Sequence, residues 1–141
     1  MNENELSYKV IGAAIEAHKT LGGPGLLESV YEEALCMELK QLGMIVERQV
    51  ECPIVYKKQT LSNPLRIDLL VEKSIIVECK ATAENHPLFA AQCLTYLRLS
   101  DLRLGLVINF GVKYLKNGIE RVVNGIQEDL NAKTLRKKGI S

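Results

Sequence analysis

The chain predicts an α/β fold in which helices cover a mixed β-sheet, and three observations carry that expectation. Apolar residues recur with helical spacing in two consecutive amino-terminal stretches and again after Pro87. Between these stretches lie runs of strand periodicity, most clearly from Arg66 to Ala81. Finally, Leu104 to Phe110 (LGLVINF) is a nearly continuous apolar run, the pattern of a central strand covered on both faces.

Taken in order, Leu6 to Leu21 carries Leu6, Val10, Ile11, Ala14, Ile15 and Leu21 on one helical stripe, with His18 on it as a core histidine. Gly22-Gly23-Pro24-Gly25 stops that helix. A second helix is expected over Leu26 to Leu42, buried through Leu27, Val30, Tyr31, Ala34, Leu35, Leu39 and Leu42. Glu28 projects into this stripe, as does Glu38, so orientation alone does not choose between them. Glu32 and Glu33 fall outside it. Ile45 to Tyr56 alternates as a strand, with Pro53 marking an edge or a break, and turns are expected at Lys57 to Gln59 and Ser62 to Pro64.

The stretch RIDLLVEKSIIVECKA then forms an antiparallel hairpin that turns around Lys73 and Ser74. Period two puts Ile67, Leu69 and Val71 on one face of its first strand, and Ile76, Glu78 and Lys80 on one face of its second. Asp68 can therefore lie across from Glu78 and Lys80. Charges on otherwise apolar strands are costly to bury unless paired, and a divalent metal would pair them. A solvated surface ion pair is the competing account, and this stretch alone does not separate the two.

Asn85-His86-Pro87 starts a third helix, whose buried face collects Leu88, Phe89, Cys93, Tyr96 and Leu99. Gln92 lies within that face, four residues before Tyr96, so two hydrogen-bonding groups stand side by side. A last hairpin is expected from Lys113–Leu115 and Ile119–Val123 around Asn117-Gly118.

The 141 residues, 47% hydrophobic and 25% charged, suit one domain over residues 1–125, followed by a basic tail over residues 126–141 with Lys133, Arg136, Lys137 and Lys138. No apolar run approaches a membrane span and no leader pattern opens the chain, which points to the cytoplasm and away from a membrane partner. The four cysteines form no C-x-x-C pair and the two histidines have no zinc-ligand spacing, which argues against a thiolate or imidazole metal centre, and the cysteines read as reduced core residues. The net charge of +1 argues against a strong, unaided non-specific DNA binder, although a basic groove can hide within a balanced total.

At this point the chain resembles a known family. Gly25-Leu26-Leu27-Glu28-Ser29-Val30-Tyr31 fits the signature of the GxxExxY protein family, and Asp68 with Glu78-Cys79-Lys80 looks like its version of the PD-(D/E)xK nuclease motif. Gln92 and Tyr96 match a QxxxY element, and the similarity runs from about Leu6 to Val123. The resemblance implies a restriction-endonuclease-like core and a metal-dependent nuclease acting on nucleic acid, DNA ahead of RNA. It also implies that Asp68 and Glu78 ligate Mg²⁺ or Mn²⁺, with the Cys79 carbonyl as a third ligand and Glu28 approaching directly or through water. Lys80 would orient water and balance phosphate charge, and Gln92 and Tyr96 would position the phosphate or Lys80. Ile67 stands where the motif's name places proline, a minor departure. The alternative is a catalytically silent binding module on the same fold, and either could form a homodimer through exposed edge strands.

Overall fold

The computed structural model describes residues 1–125, so the basic tail expected over residues 126–141 lies outside the described residues. Its elements run α1 (Glu3–Thr20), α2 (Glu28–Gln41), β1 (Val46–Cys52), β2 (Val55–Tyr56), β3 (Gln59–Thr60), β4 (Leu65–Val71), β5 (Ile75–Lys80), α3 (Pro87–Ser100), β6 (Leu104–Asn109) and β7 (Ile119–Val123). Five strands form one mixed sheet in the order β1-β4-β5-β6-β7, and β2 pairs only with β3. Only β5 and β6 run parallel, joined by α3 as a crossover, and the other ladders of the sheet are antiparallel. Among the described residues no helix is long and apolar enough to cross a membrane.

Two apolar clusters lie on opposite faces of this sheet. Leu6, Val10, Tyr31, Leu35 and Leu39 of α1 and α2 meet Leu69, Val71, Val77, Leu106 and Ile108. On the other face Cys93, Tyr96 and Leu97 of α3 meet Ile76, Val107 and Val122. This is the mixed sheet flanked by helices that the sequence pattern predicts. Two helices show their local cause: Asn2 caps α1 by accepting from the Glu5 amide at 2.8 Å, and Pro87 begins α3 behind the His86 cap. The β4–β5 hairpin turns as expected, with Glu72 and Lys73 both left-handed at φ 52° and 53°. His18 is a core histidine, bonded through Nε2 to the Val112 carbonyl at 3.1 Å.

Several expectations need correction. The last hairpin does not form: Leu115–Gly118 is a turn of 3₁₀ helix, and β7 pairs with β6 instead of with residues 113–115. Leu115 is buried there, and Gly118 sits so close to the Asn109 carbonyl that a Cβ would lie 2.4 Å from its oxygen. Tertiary packing therefore overrides the Asn-Gly turn signal. The break expected at Pro53, by contrast, is present: β1 ends at Cys52 and β2 begins at Val55. Leu27, Leu42 and Ile15, assigned to buried stripes, are exposed at 74%, 57% and 45%.

The alternation along β1 and β4 also breaks. Val46, Leu69 and Val71 pack on the α1/α2 side, whereas Val50, Cys52 and Ile67 pack on the α3 side. Gln49, at φ 52°, stands between the two halves of β1, and register places it opposite Asp68. One left-handed residue thus exchanges the faces of the strand, which a strict period of two cannot anticipate.

Candidate active site

The recorded β4–β5 register ends at Leu69↔Val77, one step before Asp68 would face Glu78. Here a side chain takes over from the backbone, because Asp68 Oδ2 accepts the Cys79 amide at 2.9 Å. Asp68 Oδ1 accepts from Gln49 Nε2 at 3.3 Å. The carboxylate is therefore held from both sides.

Glu78, on the face of β5 opposite Cys79, is only 3% exposed, and its Oε1 is buried without a hydrogen-bond partner. Burial and then the neighbouring Asp68 charge push its carboxyl up to about 10, against a partial offset from Lys80. At neutral pH Glu78 thus keeps its proton beside Asp68. Lys80, two residues on and on the same face, donates through Nζ to Gln92 Oε1 at 3.0 Å and lies 5.0 Å over the Phe89 ring. Its carbonyl accepts the Phe110 amide at 2.7 Å, so the chain carrying Lys80 is anchored to the loop after β6.

α2 supplies the next wall. Tyr31, stacked on Phe110 at 4.8 Å, donates to the Gly23 carbonyl at 2.6 Å and accepts the Leu26 amide at 3.2 Å. These bonds fix the loop that delivers Glu28 to the first turn of the helix. Glu28, Ser29, Glu32, Gln49 and Asp68 line an open cleft of about 450 Å³. Burial, followed by the Asp68 charge, raises the Glu28 carboxyl above the usual range, with Lys80 acting in the opposite sense. Glu28 therefore shares one electrostatic field with Asp68 and Lys80.

Gln92 faces Lys80, while Tyr96 is 7% exposed within the apolar cluster under α3. Burial and the nearby Glu78 and Asp68 push its phenol up to about 12, so it stays protonated. Among the described residues no three His, Cys, Asp or Glu side chains converge tightly enough to hold a metal ion as they stand. The three-carboxylate cage of Glu28, Asp68 and Glu78 is thus not closed in this conformation. The two Asp68 oxygens are bonded to Gln49 and the Cys79 amide, and Glu28 and Glu32 line the same cleft from α2.

Sequence reasoning passed over several residues here. Glu32, placed outside the stripe, is only 4% exposed, and it pairs with Arg48 at 3.0 Å and with Gln49 at 2.8 Å. Helical projection cannot foresee it, because the partner is a strand whose faces exchange at Gln49. Asn109, wholly buried, accepts the amides of Thr82 and Gly111 and donates to Asn85, so it ties down the loop after Lys80. Its signal was visible as the one polar side chain within LGLVINF.

No curated protein and no solved structure matches the chain. The family model described as the PD-(D/E)XK nuclease superfamily does match it, over residues 4–122, from α1 to β7. With that span, and with Asp68 in the middle of β4 beside Glu78 and Lys80 at the end of β5, the chain belongs to the PD-(D/E)XK nuclease superfamily.

Proposed function

We propose that this protein is a divalent-metal-dependent nuclease that hydrolyses phosphodiester bonds in nucleic acid, DNA ahead of RNA. One observation supports this above the others: the buried, unpartnered Oε1 of Glu78 beside Asp68. A buried carboxyl oxygen without a donor is costly, and a cation is the partner that two adjacent carboxyls suit. Asp68 and Glu78 offer the hard oxygen donors that Mg²⁺ and Mn²⁺ prefer, with the Cys79 carbonyl as a third ligand and Glu28 reaching through water. When bound, the dication acidifies water and offsets phosphate charge.

The remaining roles belong to the chain. Lys80, its ammonium steered by Gln92 and the Phe89 ring, meets a phosphate oxygen and stabilises the charge that develops there. Gln92 and Tyr96 position Lys80 and the phosphate. The spacing of Gly25, Glu28 and Tyr31, with the tyrosine pinning the loop before the glutamate, supports placing the chain in the GxxExxY branch.

The test is cleavage of single-stranded, duplex and branched DNA and of RNA with Mg²⁺ or Mn²⁺. Asp68→Ala and Lys80→Ala are expected to abolish a cleavage that chelation also removes. Activity indifferent to both substitutions and to chelator would sink the proposal. A second reading, a silent binding module, is favoured by the open arrangement of the three carboxylates. It predicts nucleic-acid binding without turnover and no calorimetric Mn²⁺ signal that Asp68→Ala removes.

A further inference from the structure

Gln49 combines two features that a plain strand residue lacks. Its backbone is left-handed at φ 52°, a conformation that costs a non-glycine residue free energy and persists only where its surroundings impose it. Its side chain spans two acids: Nε2 donates to Glu32 Oε1 at 2.8 Å and to Asp68 Oδ1 at 3.3 Å. The far acid is itself fixed, since Glu32 Oε2 accepts from Arg48 Nη2 at 3.0 Å and Nε at 3.3 Å. Arg48 balances the Glu32 charge, so Glu32 serves as a rigid anchor within the acidic cleft.

We propose that Gln49 is a positioning residue for Asp68, with the Glu32–Arg48 pair as its fixed point. The left-handed turn aims the amide along the cleft, and the two N–H groups of one nitrogen then bind one carboxylate on α2 and one on β4. With the Cys79 amide on Oδ2, the Asp68 carboxylate is left one orientation. Supporting bonds of this kind hold a ligand in the geometry that binding requires, at no cost when the ligand arrives. The consequence for turnover rests on the nuclease reading above; the contact itself does not.

Gln49→Gly separates positioning from mere support of the fold. Glycine accepts φ 52° without strain, so the melting temperature is expected to hold or rise while the amide is lost. Calorimetric Mn²⁺ affinity is expected to fall at least about tenfold, the usual effect of losing such a supporting bond. In cleavage, kcat should fall by a similar factor with KM for the oligonucleotide unchanged. A variant that melts well below the parent, or that keeps parental Mn²⁺ affinity, overturns the proposal.

A second measurement needs neither metal nor activity. In chelator, urea unfolding of Gln49→Gly, Asp68→Ala and the double variant is expected to show their effects on the folding equilibrium departing from additivity by about threefold or more. Additivity overturns the positioning role. If the parent neither binds Mn²⁺ nor cleaves, the nuclease reading fails and this cycle alone decides the role of Gln49.

Discussion

The two faces of β5 are built from one hexapeptide and behave as opposites. Ile75, Val77 and Cys79 are all fully buried in the α1/α2 cluster, whose other members are apolar. Ile76, Glu78 and Lys80 face α3, where the apolar contact of Ile76 gives way to a buried carboxyl, an ammonium, Gln92 and Tyr96. The dry face holds the strand rigid, and the other face uses that rigidity to keep an unpartnered oxygen out of water. Within β5 itself the charged side chains stand on the α3 side alone, as expected where polar chemistry is grafted on a stable scaffold.

The sharpest test of this contrast pairs one residue from each face. Lys80→Met keeps the side-chain stem over Phe89 but removes the charge; cleavage is expected to fall about 10²- to 10³-fold, as when one transition-state donor is lost. Its melting temperature should stay within a few degrees of the parent. Leu106→Ala, in the dry cluster and wholly buried, should do the reverse. Loss of the buried side chain costs about 3 kcal/mol in urea unfolding, with cleavage per folded molecule unchanged. If Lys80→Met destabilises as much as Leu106→Ala, the two faces are not functionally distinct.

How much of this was legible depended on range. Helices, the β4–β5 hairpin and the central strand follow from periodicity and caps, which are local, and the correct face of Glu78 and Lys80 followed from period two along an unbroken strand. Asp68 was harder to place, because the β4–β5 ladder ends at Leu69↔Val77 and β4 exchanges faces between Ile67 and Leu69. Glu32 was not legible, because its burial depends on Arg48 and Gln49, sixteen or seventeen residues away, across a reversal of faces that one φ angle produces. The failed Asn117-Gly118 hairpin has the same origin: close approach of Gly118 to Asn109 is a tertiary fact, and turn propensity carries no information about it. Glu28 was singled out by resemblance and not by physics, since Glu38 satisfied the same helical arithmetic.

The buried carboxyl gives the contrast a pH signature. Glu78 is raised from its ordinary 4.5 to about 10 in the folded protein, chiefly by burial. Between those values the unfolded chain has released a proton that the native state still holds, so stability falls as pH rises. The contribution is fully present below about 4.5 and is lost progressively up to about 10, with a slope of at most about 1.4 kcal/mol per pH unit. Glu28 and Glu32, also raised and chiefly by burial, add in the same sense. Glu78→Gln should flatten this slope in urea unfolding at pH 5, 7 and 9 with chelator present; an unchanged slope would place the proton elsewhere. Because a cation requires the ionised carboxyl, Mn²⁺ binding at pH 7 should release about one proton, measured by calorimetry in two buffers of different ionisation enthalpy.

The smallest effect expected comes from Gln92, and it probes how Lys80 is held. The ammonium has two restraints: the Gln92 oxygen at 3.0 Å and the Phe89 ring at 5.0 Å. Gln92→Ala removes one and leaves the other, so kcat should fall only about tenfold, the worth of one hydrogen bond to a charged group. KM should move little where Gln92 acts on the phosphate only through Lys80. A loss as large as that of Lys80→Met would mean that Gln92 itself touches the phosphate. No loss at all would mean that the aromatic ring suffices to aim the ammonium, and Phe89→Ala should then carry the larger penalty.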